Sequence, residues 1–265
     1  MKPLKTALCF AGTCRSLQYT YQNIRDKLID PLGECDIFVY GPENPHAHKA
    51  QELIALPQVK DAIIEPEPEY DLSNYVFRPG WPPAHQSTPQ TYIRMVKSRE
   101  KFVSMIGGIE QKNGLVYDRV IFSRLDVVYY SDVSRLIDGL DLTSLSISDF
   151  HNTYGGDING VNDRFAVGNR ENMNIYFSVL RDVDKFMAQT PHEAMIECKE
   201  AGVSLLSGQR YAGQLHAETL LKWHLNHNGV NVRKIPLRFS RVRIDGEAVE
   251  LDRHLKSGPI PWNET

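Results

Sequence analysis

Tyr117-Asp118-Arg119-Val120-Ile121-Phe122-Ser123-Arg124-Leu125-Asp126-Val127-Val128-Tyr129-Tyr130 is an apolar run broken by one charged tripeptide, Arg124-Leu125-Asp126. Val120, Ile121 and Phe122 read as a core strand. A buried strand that ends by projecting a cation and a carboxylate is presenting them to something, and two readings stand. At period two, Arg124 and Asp126 point the same way and satisfy each other as a local ion pair. Alternatively, Asp126 holds a hard divalent cation that bridges the phosphates of a nucleotide, and Arg124 complements the remaining negative charge.

Upstream of this run the chain alternates strand and helix. A strand over 6–11, a turn over 12–15 and a helix over 19–28 are followed by a strand over 36–40. A loop rich in Pro and His, a short helix over 49–56 and a strand over 62–64 come next. This rhythm predicts a parallel sheet with helices on its faces. Residues 65–90 are rich in proline and read as a long loop. A helix over 91–106 shares a face among Ile93, Val96, Phe102, Val103 and Ile106, with Gly107-Gly108 as its stop. Beyond Asp126 the expected elements are a strand over 145–148, a glycine-rich loop over 151–160 and a strand over 164–167. Helices over 170–186, 193–201 and 217–226, a strand over 231–235 and a basic tail with Arg238, Arg241 and Arg243 complete the reading.

Composition narrows the partners. Thirty basic against thirty-three acidic residues leave a net charge of -3 over 265 residues, which provides no broad field for nucleic acid or an anionic membrane. Phosphate recognition must therefore be local. No run reaches the roughly 18 to 20 apolar residues of a membrane span, and residues 7–11 are too short for a signal-peptide core. The chain reads as soluble, intracellular and cytoplasmic. Cys9, Cys14, Cys35 and Cys198 lack a paired C-x-x-C arrangement and fit free thiols in a reducing compartment.

Three further segments could carry chemistry. Phe10-Ala11-Gly12-Thr13-Cys14-Arg15-Ser16 is a small-residue turn after a strand. It is either a plain turn or a place where backbone N–H groups approach a phosphate, with Arg15 adding a charge-assisted contact. Neither G-x-G-x-x-G nor G-K-[ST] is present. The stretch from Tyr154 to Gly168 gathers Asp157, Asn159, Asn162, Asp163 and Arg164 among glycines, which suits a polyhydroxylated ligand or, equally, an Asx-rich connection. Glu218 opens a helix, where the dipole favours an acid; if that helix abuts a cleft, the carboxylate is placed to act as a general base. His46-Ala47-His48 lacks a clear third ligand and reads as a solvated pair.

Taken together, these segments resemble glycosyltransferases of the GT-A fold, in particular the group in which Arg-x-Asp replaces Asp-x-Asp. The resemblance runs through Ala11-Gly12-Thr13-Cys14-Arg15-Ser16 with Cys35-Asp36-Ile37-Phe38-Val39, then Tyr117-Asp118 through Arg124-Leu125-Asp126. It continues in Asn162-Asp163-Arg164-Phe165-Ala166-Val167-Gly168 and Glu218-x-x-Leu221-x-x-x-Leu225-x-x-x-Gly229. It implies one GT-A-like, Rossmann-like α/β domain over 1–265: a nucleotide-binding half to about residue 130 and a smaller acceptor and catalytic half after it. It further implies transfer from a nucleotide-sugar donor to a hydroxyl of a glycan or other acceptor, assisted by Mn2+ or Mg2+ held by Asp126. Ala11, Gly12, Thr13, Arg15, Tyr40, Ser123, Arg124, Asp126 and Arg164 would bind the donor. Glu218, then Asp163, then Asp157 are the candidates for the base of an inverting reaction.

The chain departs from the commoner pattern at two positions. Arg124 stands where the first Asp of Asp-x-Asp would be, so this motif offers no two-carboxylate metal site. Ala217 stands where many relatives have an acid before the catalytic one. Two rivals remain open from sequence: a non-catalytic nucleotide- or glycan-binding module on the same fold, and a nucleotidyltransferase.

Overall fold

The computed structural model describes residues 4–77, 89–150, 153–154, 158–159, 161–190, 192–193, 215 and 217–249. Its centre is a seven-stranded sheet built from β1 (Thr6–Ala11), β2 (Asp36–Glu43), β3 (Val59–Pro66), β4 (Arg119–Arg124), β6 (Leu145–Ser148), β9 (Phe165–Gly168) and β10 (Val232–Ile235). The spatial order is β10-β6-β9-β4-β1-β2-β3. β1 pairs in parallel with β2 and β4, β2 with β3, and β6 with β10, whereas β9 runs antiparallel to both its neighbours. The expected mostly parallel, helix-flanked sheet is thus present, with one reversed strand near its middle.

Burial on both faces explains why residues 7–11 of β1 and 120–122 of β4 are continuously apolar rather than alternating. Ala7, Cys9, Val120 and Phe122 face one core cluster, and Leu8, Phe10 and Ile121 face the other. On the first side the long helix Pro89–Asn113 lays Ile93, Val96, Phe102 and Ile106 against the sheet. Phe102, Phe122, Tyr176 and Phe177 meet there ring to ring. On the second side Leu17, Ile24 and Leu28 pack from the helix Leu17–Ile24 and the π turn Arg25–Ile29 that continues it.

Local expectations are corrected at several points. The helix does not stop at Gly107-Gly108 but runs on to Asn113. Each glycine costs about 1 kcal/mol relative to alanine, and the last turns are held by Glu110, which accepts from Arg170 Nε at 3.0 Å and from the Tyr117 N–H at 3.1 Å. The stop is Gly114, whose φ of +60° supplies the left-handed cap. The expected helix over 170–186 is three pieces, Arg170–Phe177, a 3₁₀ turn Val179–Asp182 and Val183–Met187, divided at Ser178.

Residues 127–130 do not continue β4. β5 (Val127–Tyr129) joins a separate three-stranded sheet with β11 (Phe239–Val242) and β12 (Ala248–Val249). The basic tail is therefore a strand, with Arg241 opposite Val127 in antiparallel register. β7 (Thr153–Tyr154) and β8 (Ile158–Asn159) form a two-stranded pair within the glycine-rich segment. The helix expected over 193–201 falls almost wholly outside the described residues, as does Cys198; Cys9, Cys14 and Cys35 are free and buried. Among the described residues no helix is long and apolar enough to cross a membrane.

Candidate active site

Arg124-Leu125-Asp126 marks the point where the chain leaves one sheet for another, and its backbone is tied on both sides. Thr20 Oγ1 donates to the Leu125 carbonyl at 2.6 Å, and the Val242 N–H donates to the Asp126 carbonyl at 2.8 Å. The register places Ala11 beside Arg124 on one side and beside Tyr40 on the other. The ends of β1, β2 and β4 therefore meet at one carboxyl-terminal edge, the position at which open α/β sheets bind ligands. Gly12 turns away there with φ of +135°, and a Cβ at this position would lie 3.9 Å from the Leu125 nitrogen.

The two side chains of the tripeptide form a bidentate pair. Arg124 Nε donates to Asp126 Oδ1 and Nη2 to Oδ2, each at 2.7 Å. The Arg124 side chain is 22% exposed and that of Asp126 only 6%, so the guanidinium is the partner presented to solvent. Burial pushes the Asp126 carboxyl up, but Arg124, with Arg241 and Arg15 behind it, outweighs burial and holds the group below the usual carboxylate range.

The reversed strand brings the second acidic segment to the same place. Ser123 pairs with Phe165, so β9 begins where β4 ends, and Asp163-Arg164 just before it meets the tripeptide. Asn162 shapes this approach: its Oδ1 accepts the Arg164 N–H at 2.9 Å while its Nδ2 donates to the Phe150 carbonyl at 2.9 Å. Asp163 is buried with Arg99, whose Nη1 lies 3.9 Å from Oδ2. Tyr176 Oη donates to the Asp163 carbonyl at 3.1 Å. Burial alone would raise the Asp163 carboxyl, yet Arg99, then Arg164, Arg124 and Arg241, hold it low.

Glu218 arrives from the first turn of the helix Ala217–His227. Its carbonyl accepts the Val161 N–H at 3.2 Å, joining the helix to the segment that carries Asp163. Leu220, Leu221 and Leu225 bury the inner face of this helix. His224, fully buried, anchors it with Nδ1 3.2 Å from Asp182 Oδ2 and Nε2 2.9 Å from the Ile175 carbonyl. Burial, then the neighbouring Asp163 charge, push the Glu218 carboxyl up to about 7, against the pull of Arg164 and Arg241. The two acids are thus driven apart, one ionised and one poised near neutrality, as in paired acid–base sites.

The structure brings together Arg15, Arg124, Asp126, Asp163, Arg164 and Glu218 at one end of the sheet. Ala11 and Tyr40 line the same edge, and the Tyr40 hydroxyl donates to Glu65 Oε1 at 2.7 Å. Thr13 is half-buried in the turn beside Gly12. Ser123 is fully buried, with its hydroxyl 2.7 Å from that of Tyr129, on the opposite side of β4 from Arg124. Asp157 lies outside the described residues.

Two residues of the site were missed in the sequence. Arg241 hid in what reads as a basic tail. Arg99 carried a usable signal, since it falls between Val96 and Phe102 on the apolar stripe of its helix, where a charge demands a buried partner. The divalent cation expected at Asp126 does not fit the donors present. Both carboxylate oxygens accept from Arg124, three guanidiniums act on the group, and among the described residues no three His, Cys, Asp or Glu side chains converge to hold a metal.

Fold and site together define a helix-flanked, mostly parallel α/β protein with an arginine–carboxylate cluster at the carboxyl edge of its sheet. The family model of the domain of unknown function DUF7796 matches residues 1–200, and the chain belongs to that family. Arg15, Arg99, Arg124, Asp126, Asp163 and Arg164 lie within the matched part, and Glu218 and Arg241 beyond it. No curated protein matches the chain in sequence. Among solved structures it is similar to an active-site mutant of LgtC, at 15% identity over 85% of this chain and 72% of that chain, with a TM-score of 0.46. It is also similar to galactosyltransferase LgtC in complex with donor and acceptor sugar analogs, at 15% identity, the same coverage and a TM-score of 0.44. The apo-form glycosyltransferase GlyE of Streptococcus pneumoniae TIGR4 is similar at 14% identity over 87% of this chain and 45% of that chain, with a TM-score of 0.42. At this distance the likenesses assign no role to any residue here.

Proposed function

We propose that the protein is a glycosyltransferase that moves a sugar from a nucleotide-sugar donor to a hydroxyl of a glycan or other acceptor, with inversion at the anomeric carbon. The observation that carries this reading is the Glu218 carboxyl, raised to about 7 beside the low-lying Asp163 at the edge where Gly12, Arg15 and Arg124 meet. A base near the operating pH is both sufficiently ionised and sufficiently basic to accept a proton.

In this mechanism the acceptor hydroxyl oxygen attacks the anomeric carbon while its proton passes to a Glu218 carboxylate oxygen. The bond from the anomeric carbon to the phosphate oxygen breaks, and its electron pair leaves on the phosphate as a nucleoside diphosphate. Asp163, held ionised by Arg99 and Arg164, contributes by keeping the Glu218 pKa high rather than by taking the proton itself. The donor sits mainly in the half that ends near residue 130, with arginines of the half that follows reaching it at the shared edge, and the acceptor is held by that second half.

Incubation with a panel of nucleotide sugars tests this against its rivals. A transferase releases nucleoside diphosphate slowly to water and faster with an acceptor present. A binding module binds without release, and a nucleotidyltransferase instead frees pyrophosphate from a nucleoside triphosphate. Either of the last two outcomes ends the transferase reading.

A further inference from the structure

Asp126 occupies the position from which a divalent cation would reach the donor's phosphates, but its geometry serves a different end. A metal ligand offers its carboxylate oxygens outward. Here both oxygens point into the fork of Arg124, and the more exposed partner of the pair is the arginine. The charges of Arg241, on β11 opposite Val127, and of Arg15, in the turn after β1, both act on the group. Arg15 Nε is buried without a hydrogen-bond partner among the described residues. With Arg99 and Arg164 beside Asp163, and Arg15, Arg124 and Arg241 beside Asp126, the guanidiniums outnumber the two ionised carboxylates and leave the locality positive before any ligand arrives, which disfavours a divalent cation and favours a diphosphate.

We infer that Arg15, Arg124 and Arg241 neutralise the diphosphate of the donor in place of a divalent cation, and that Asp126 is a positioning residue that fixes the plane of the Arg124 guanidinium. The inference rests on the transferase reading for its ligand. The extra negative charge on the departing phosphate oxygen is met by fixed guanidiniums, which need no reorganisation as the bond breaks. Planar forked donors are suited to phosphate oxygens.

The test is equilibrium binding of a panel of nucleoside diphosphates and nucleotide sugars to the full chain, in EDTA and in excess Mn2+ or Mg2+. The expected result is an affinity that changes little between the two conditions and weakens about tenfold or more in Arg241→Gln, the size of one charge-assisted hydrogen bond. Arg15→Gln, on a different element, gives the same readout if Arg241→Gln folds poorly. Asp126→Leu should weaken binding similarly, and Asp126→Asn, which keeps an acceptor for Arg124, should restore most of it in EDTA.

Binding that requires the metal, with Asp126→Asn abolishing the requirement along with the binding, overturns the inference and leaves the transferase reading standing. Wild-type-like binding in both Arg241→Gln and Arg15→Gln also overturns it. Failure of every nucleotide to bind under either condition removes the transferase reading, and this inference with it.

Discussion

Asp126 and Glu218 are two acids at the same sheet edge, and the protein treats them in opposite ways. Asp126 is enclosed by guanidiniums that keep it ionised. Glu218 is desolvated beside another carboxylate and is pushed up to about 7. Both feel Arg241, so the difference comes from the remaining neighbours: Arg124 and Arg15 on one, Asp163 and Arg164 on the other. A side chain's type therefore does not decide its role here; the balance of burial and adjacent charge does.

The largest effect should come from removing the titrating member. Glu218→Gln is expected to lower turnover by about 10² to 10⁴, the usual worth of a general base, with donor affinity retained. Wild-type turnover should rise with pH through about 7 as Glu218 ionises under the influence of Asp163, Arg164, Arg241 and the nearby Tyr92 hydroxyl. Stability should move the other way. The folded pKa lies above the unfolded one, so the contribution of the protonated form is complete below the unfolded value of about 4.3 and is lost as pH rises through about 7. Glu218→Gln should accordingly melt higher than wild type at pH 8 and no higher at pH 4. An unchanged rate profile together with unchanged melting at pH 8 would break the contrast between the two acids.

The next effect is on the fold. Arg99 is 1% exposed and is the foremost charge holding Asp163 low. Arg99→Met leaves a buried carboxylate without its main partner, which is expected to cost about 3–5 kcal/mol. Part of that loss is pH-linked with a definite sign. A depressed acid pKa stabilises above its unfolded value and stops doing so as pH falls through the folded one, so the deficit should be large at pH 7 and shrink in acid. Thermal melts at pH 7 and at about pH 2, well below the ordinary aspartate value of about 3.9, measure it. A deficit of equal size at both would show that Arg99 acts through packing rather than through Asp163.

Legibility in the sequence followed burial. β1 carries the bounds expected of it because it is a short apolar run with both faces covered, and β6 does so as a buried strand in which leucine and isoleucine alternate with serine. The tripeptide stood out because charges interrupt such a run, but its meaning as a crossing between two sheets depended on β11, whose Phe239-Ser240-Arg241-Val242 is too short and too basic to announce itself. The Gly107-Gly108 stop failed because tertiary ties through Glu110 override propensity. Asp163 and Glu218 were each visible as acids at element boundaries. Their meeting was not, since it follows from the reversed direction of β9 and from the His224 anchor, neither of which leaves a local pattern. The tripeptide left two readings open, a local ion pair and a cation held by Asp126; the bidentate geometry is that of the ion pair, which period two had placed on one side of the chain.

The smallest effect expected, and the one that isolates the Asp126 end, is that of Gly12→Ala. At φ of +135° alanine is strained even though the space above it is open, the nearest atom to a new Cβ being the Leu125 nitrogen at 3.9 Å. The expected loss is about 1 kcal/mol or somewhat more, a shift of a few degrees in melting temperature for a chain of this size. Because the Gly12 turn carries Arg15 toward Asp126 and makes no contribution to the charges around Glu218, donor affinity should fall while the acid limb of the rate profile stays at about 7. Movement of that limb in Gly12→Ala would mean that the two acids share one electrostatic environment, and that their opposite states are set jointly rather than by separate neighbours.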